Sequence, residues 1–179
     1  MATVILDRDG VINHDSINYI KKPSEWELID GSAEAIRMLT KAGYFVAVAT
    51  NQSGLGRRLL SLKDLNAIHE KMHQEIQNVG GYVNYITYCP HLPQDGCDCR
   101  KPQTGLLRMI NKRNSLDQDM DWMVGDTFND VKAGHKMGLR SALVLTGKGQ
   151  AQLEGGVVSR ETTPVFECLQ EFVVWLLEH

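Results

Sequence analysis

Four short stretches of this 179-residue chain hold groups that could do chemistry together. They are Asp7-Arg8-Asp9-Gly10, Thr50-Asn51-Gln52-Ser53-Gly54, Arg100-Lys101-Pro102, and Gly125-Asp126 with Asp130 four residues later. Side chains two apart on an extended segment point the same way, so Asp7 and Asp9 lean into one space. Two carboxylates there repel unless something neutralises them, and Asp126 and Asp130 would add more negative charge. A hard divalent cation with oxygen ligands meets that need, and Mg²⁺ fits best. The hydroxyls, amides and backbone N–H groups of residues 50–53 can hold phosphate oxygens. The Lys101 ammonium can balance a phosphoryl group. Singly, each stretch has an ordinary reading, since Asp-Gly is a common turn pair and Lys is most often a solvated surface residue.

A second cluster offers softer ligands. Cys89-Pro90-His91, five residues, then Cys97-Asp98-Cys99 supplies three thiols and one imidazole. That set suits a closed tetrahedral Zn²⁺ site with no open catalytic position, although free thiols beside a solvated His are the plain alternative. Such a site would brace the loop that leads to Arg100 and Lys101. Cys168 stands apart and reads as core or half-buried packing in the last helix.

The elements that must position these groups follow from periodicity. Residues 3–6, 44–49, 83–88, 122–124 and 142–145 are short apolar runs that read as buried strands. Between them lie helical patterns. One follows Gly31 and stops at Gly43. A second opens at Ser61 with Asp64 three residues on, carries the stripe Leu65, Ile68, Met72, Ile76 and Val79, and ends at Gly80-Gly81. Others cover 105–112 and 128–137, and Pro164 is expected to open a last amphipathic helix through Phe166, Leu169, Phe172, Val173 and Leu176. Residues 149–163 show little periodicity and read as a loop. Strands alternating with helices predict an α/β fold: a single Rossmann-like domain over 1–179, with a parallel sheet flanked by helices on both faces. In such sheets ligands bind outside the carboxyl ends of the strands, where all four stretches fall.

Composition narrows the function classes. With 19 Lys+Arg against 22 Asp+Glu the net charge is −3, which argues against binding nucleic acid through bulk charge. No stretch approaches the ~18 apolar residues of a membrane span. The start, MATVILDRDG, lacks the basic region of a secretory signal, so a cytoplasmic protein with reduced cysteines is expected.

The set Asp7-x-Asp9-Gly10, Thr50, Lys101 and Gly125-Asp126-x-x-x-Asp130 resembles the four ordered motifs of the haloacid dehalogenase superfamily of phosphohydrolases, over residues 4–146. The resemblance implies that Asp7 is the nucleophile, forming an aspartyl-phosphate, and that Asp9 is the acid for the leaving group and then the base for water. It implies Mg²⁺ held by the Asp7 carboxylate, the Asp9 carbonyl and Asp126, with Asp130 in support, and a transferring phosphoryl stabilised by Thr50 and Lys101. One position departs from the pattern: Val11 stands where many members have Thr.

The cysteine loop before Arg-Lys-Pro resembles a branch with a minimal cap or none, which contains heptose-bisphosphate and histidinol-phosphate phosphatases. The stretches Asp7–Asn13, Asp15–Tyr19, 48–54 and 145–149 look closer to the heptose-bisphosphate group, whose products serve ADP-heptose and lipopolysaccharide synthesis. That reading makes Arg8, Asn51, Gln52 and Ser53 part of the phosphate and sugar pocket. It makes Arg100 the contact for a second phosphate, and Asp15, Asn18 and Tyr19 contacts for sugar hydroxyls. The partner implied is a small phosphorylated sugar, with no nucleic acid or membrane, and the enzyme is expected to be a monomer. The rival from another class is a non-catalytic zinc-loop binding module or a phospho-acceptor switch. His69 and His73, four apart on a helix, have no evident third ligand and read as ordinary helix residues.

Overall fold

The computed structural model describes residues 1–179. Six strands, all parallel, lie in the order β3-β2-β1-β4-β5-β6. They are β1 (Thr3–Leu6), β2 (Phe45–Asn51), β3 (Tyr85–Cys89), β4 (Trp122–Gly125), β5 (Arg140–Val144) and β6 (Val165–Phe166). The helices are α1 (Ser32–Lys41), α2 (Ser53–Gly56), α3 (Leu62–Asn78), α4 (Gly105–Arg113), α5 (Phe128–Lys136), α6 (Gly149–Glu154) and α7 (Leu169–Glu178).

Strand side chains alternate between two apolar layers, as a two-residue period requires. Val4, Leu6, Val46, Val48, Trp122 and Val124 pack with α1, α3 and α7, whereas Ile5, Ala47, Ala49 and Met123 pack with α4 and α5. Strands buried on both faces explain why the sequence shows continuous apolar runs there. The N-terminus of α3 is held as its sequence predicts: Ser61 Oγ accepts from the Asp64 N–H at 3.2 Å, and the Asp64 carboxylate accepts from the Ser61 N–H at 2.8 Å.

The chain end differs from the sequence reading. Val165 and Phe166 form a sixth strand, in register with Leu143 and Val144, and α7 begins only at Leu169 with Cys168 as its cap. Phe166 satisfies a helical period, but sheet pairing and an edge contact with Phe172 at 5.4 Å take it instead. Residues 149–154, expected as loop, form α6.

Strand order reverses between β1 and β4, leaving a crevice at their carboxyl ends. The segment from β1 to α1 carries no cap domain. It is a compact loop with one 3₁₀ turn at Pro23–Glu25, anchored by buried Ile20, Trp26 and Ile29. Lys71 of α3 holds it from below, donating to the Trp26 carbonyl at 2.7 Å.

Candidate active site

Strand ends deliver the site's groups to the crevice: Asp7 after β1, Thr50 and Asn51 closing β2, and Asp126 directly after β4. Two glycines make this approach possible. Gly10 has φ +86°, and a Cβ there would strike the Asp126 carboxylate; a Cβ on Gly125 would strike Asp130. Asp7, Asp126 and Asp130 each bring a carboxylate oxygen to within 4.8 Å of the others.

Lys101 lies among them, almost wholly buried, with Nζ 2.9 Å from Asp7 Oδ1 and 2.6 Å from Asp130 Oδ1. Burial opposes its charge, but Asp130 and Asp7 outweigh burial and hold its pKa above the ordinary lysine value. One ammonium does not offset three carboxylates. Burial first, with Lys101 opposing it and Asp130 and Asp9 adding to it, pushes Asp7 up to about 7. Burial and then the charges of Asp7 and Asp130 push Asp126 up to about 8. This is the donor set a hard dication takes. Asp130 is the least free of the three, because its Oδ2 accepts from the Thr127 hydroxyl at 2.6 Å and N–H at 3.0 Å at the start of α5, while Oδ1 faces Lys101. Asp126 Oδ2 accepts from the Lys148 N–H at 2.9 Å.

Asp9 occupies a different environment. Arg8 forks onto it (Nε–Oδ1 3.1 Å, Nη2–Oδ1 2.9 Å, Nη2–Oδ2 3.0 Å), Asn13 Nδ2 donates at 2.8 Å and Gln52 Nε2 at 2.8 Å. Burial alone would raise its pKa. The Arg8 charge and these hydrogen bonds prevail and hold Asp9 below the usual carboxylate range. Gln52 also donates to Thr50 Oγ1 at 2.9 Å, tying the second strand end to the first.

The cleft above has a volume of about 330 Å³. Its lining holds five carboxylates (Asp7, Asp9, Asp15, Asp126 and Asp130) against Arg100, Lys101 and Lys148, a formal net charge of −2 with every group ionised. A phosphorylated ligand entering such a cleft needs added positive charge.

At the end of β3 the cysteine loop closes on itself. Cys99 Sγ lies 3.1 Å from Cys89 Sγ and 3.5 Å from Cys97 Sγ, Cys89 lies 3.6 Å from Cys97, and His91 Nδ1 is 3.2 Å from Cys99 and 3.6 Å from Cys89. All four cysteines are free. A tetrahedral ion with Zn–S bonds of ≈ 2.3 Å has sulfur–sulfur edges of about 3.8 Å, so the cluster has the right size and donors. The loop is coupled to the cleft: the Arg100 N–H donates to Cys97 Sγ at 3.4 Å, and Arg100 Nη1 reaches the His91 carbonyl at 3.4 Å.

A profile of the HAD-hydrolase-like family matches residues 98–172. The D-glycero-beta-D-manno-heptose-1,7-bisphosphate 7-phosphatase of Neisseria meningitidis is 43% identical over 179 residues, covering 99% of this chain and 96% of its own. That of Pseudomonas putida is 48% identical over 169 residues, covering 94% and 95%. The chain belongs to this heptose-bisphosphatase family. Among solved structures, the D,D-heptose 1,7-bisphosphate phosphatase from B. bronchiseptica, complexed with magnesium and phosphate, is 45% identical, with 99% of each chain covered and a TM-score of 0.95.

Within this heptose-bisphosphatase fold, the structure brings Asp7, Asp9, Thr50, Lys101, Asp126 and Asp130 to one cleft, with Asp15, Tyr19, Asn51, Gln52, Ser53 and Arg100 also on its wall. Two residues expected at the substrate are elsewhere. Arg8 is fully buried, its guanidinium committed to Asp9 beneath the floor. Asn18 is outside the lining, and its carbonyl accepts from Lys21 Nζ at 2.7 Å. Asn51 is on the wall, yet its amide braces the Lys101 backbone in both directions, at 3.0 and 3.1 Å. Three residues were missed. Lys148 joins Asp15 across the cleft at 2.9 Å. Asn13 donates from Nδ2 to Asp9 Oδ1 at 2.8 Å. His69 lies against Arg8. For His69 a signal existed, since it borders the buried stripe Leu65, Ile68, Met72 on α3.

Proposed function

We propose that the protein is a Mg²⁺-dependent phosphatase that removes the C7 phosphate of D-glycero-D-manno-heptose 1,7-bisphosphate. It would act in the cytoplasm, as a monomer, in the supply of ADP-heptose for lipopolysaccharide. No helix is long and apolar enough to cross a membrane. The observation that carries this reading is the meeting of Asp7, Lys101 and Asp126 in one crevice of a chain alike along its whole length to phosphatases of that substrate.

Asp7 attacks phosphorus through its carboxylate. The phosphorus–oxygen bond to C7 breaks, and Asp9 gives its proton to the departing sugar oxygen. Asp9 then takes a proton from water, which attacks the aspartyl-phosphate and releases phosphate, restoring Asp7. Asp9 rests ionised, the form the second half needs. A phosphate dianion beside it opposes ionisation, so substrate entry moves it toward the protonated form needed first. Lys101 and Thr50 hold the phosphoryl oxygens, and Arg100 meets the phosphate on C1. Asp7, Asp126 and the Asp9 carbonyl would hold Mg²⁺, with Asp130 acting through Lys101 or a water. Bound there, the ion supplies the positive charge that lets an anion attack a phosphate dianion.

Phosphate release from heptose 1,7-bisphosphate and from histidinol phosphate, at equal concentration with and without Mg²⁺, tests the assignment. Turnover of the heptose bisphosphate only with Mg²⁺ is expected, and a preference for histidinol phosphate contradicts it. Because Asp7 and Asp126 hold protons up to about 7 and about 8 before the ion binds, the Mg²⁺ concentration for half-maximal rate should fall as pH rises from 6 to 8.5. An unchanged value would contradict the ligand set.

Cys89, His91, Cys97 and Cys99 would hold a structural Zn²⁺ that fixes Arg100 and Lys101. Metal analysis after dialysis against EDTA sufficient to strip Mg²⁺ is expected to find one zinc per chain. Zinc-free protein with unchanged melting temperature and activity would refute this.

A further inference from the structure

The Arg8 guanidinium is fully buried, and only one side of it meets a carboxylate. Nε and Nη2 fork onto Asp9, while Nη1 lies 3.3 Å from Nε2 of His69, which comes from α3 and is 8% exposed. No other protein acceptor reaches Nη1. A guanidinium has only donors and does not lose its proton in proteins, so His69 Nε2 must be the acceptor and the ring proton must sit on Nδ1. Burial, and then the Arg8 charge, push the imidazole down to about 3, which keeps it in this neutral form.

Three corners of a rigid fork are thus fixed. Asp9 Oδ1 and Oδ2 hold two, and His69 holds the third. Asn13 and Gln52 also donate to Asp9, so without the third contact the fork loosens and shifts the carboxylate it clamps without releasing it. We propose that His69 is a positioning residue, which holds the Asp9 carboxyl on line with the leaving-group oxygen through Arg8. The inference rests on Asp9 being the leaving-group acid, so its test must separate the two.

Leaving groups make that separation. A sugar alkoxide needs a proton as it departs, whereas nitrophenolate leaves without one. For a substitution that touches no sugar or C1-phosphate contact, a change in the ratio of kcat/KM for heptose 1,7-bisphosphate to that for 4-nitrophenyl phosphate therefore reports the acid. Asp9→Asn should lower the ratio strongly. His69→Leu should lower kcat/KM for the heptose bisphosphate about tenfold, below the ~10²-fold cost of a 1 Å misplacement, and leave the aryl phosphate within about twofold. His69→Gln, whose side-chain carbonyl can accept from Nη1, should restore the ratio. Equal losses on both substrates in His69→Leu, beside a ratio that falls in Asp9→Asn, overturn the positioning role. A ratio unmoved in Asp9→Asn overturns the general-acid reading instead. If His69→Leu does not fold, His69→Gln and the ¹⁵N spectrum of the wild-type imidazole decide. An Nδ1–H tautomer with a preserved ratio supports the role, and an Nε2–H tautomer or a collapsed ratio overturns it.

Discussion

Asp7→Asn is expected to abolish turnover, with a loss on the order of 10⁴-fold or more, while leaving the fold intact. The amide cannot attack phosphorus, but it keeps an oxygen for the Arg8 N–H, which donates to Asp7 Oδ1 at 2.8 Å. The substitution also relieves a stress. Asp7 is raised from 3.8 to about 7 by burial and by Asp130 and Asp9, so its ionised form disfavours the folded state. That cost is absent below pH 3.8, grows as pH rises, and is complete above about 7. Metal-free Asp7→Asn should therefore melt higher than metal-free wild type at pH 8, by a margin that shrinks toward pH 5. Activity lost with stability gained is a pattern general damage does not give. Turnover within a hundredfold of wild type would remove Asp7 from the nucleophile's role.

Lys101→Met should fail in the opposite way, losing both rate and stability. The ammonium is placed to meet the phosphoryl oxygens, and removing one such stabiliser costs about 10²–10³ in kcat. It is also the buried partner of Asp7 and Asp130. Removing one partner of a buried ion pair strands the other charge, at a cost of about 3–5 kcal/mol. Urea unfolding in EDTA should show that loss, and saturating Mg²⁺ should reduce it. A variant as stable as wild type without metal would mean that Lys101 does not neutralise the carboxylates.

Most of the fold was legible because the sheet is buried on both faces. Runs such as Val4-Ile5-Leu6 and Val46-Ala47-Val48 stand out in any window, and α3 announces its start through Ser61 and Asp64. What escaped was local structure decided by distant partners. Two residues, Val165 and Phe166, become a strand only because β5 has a free edge, and six residues after Lys148 become a helix with no stripe to betray it.

The site divides in the same way. Asp7, Asp9, Lys101, Asp126 and the cysteine loop could be found because carboxylates and thiols concentrate where each strand ends. Arg8 could not be placed from its neighbours. Its sequence reading puts it on the wall of the phosphate and sugar pocket, whereas the folded chain buries it against Asp9 and beside His69, which is 61 residues away. Lys148 was hidden likewise, since only folding sets its ammonium opposite Asp15.

The most direct measurement is a crystal structure of the protein grown with Mg²⁺ and beryllium fluoride, which mimics a phosphoryl group joined to a carboxylate. Beryllium bonded to an Asp7 oxygen, with Lys101 and Thr50 facing the fluorines, is the result predicted. Beryllium fluoride seated on another side chain, with Asp7 untouched, would contradict the account.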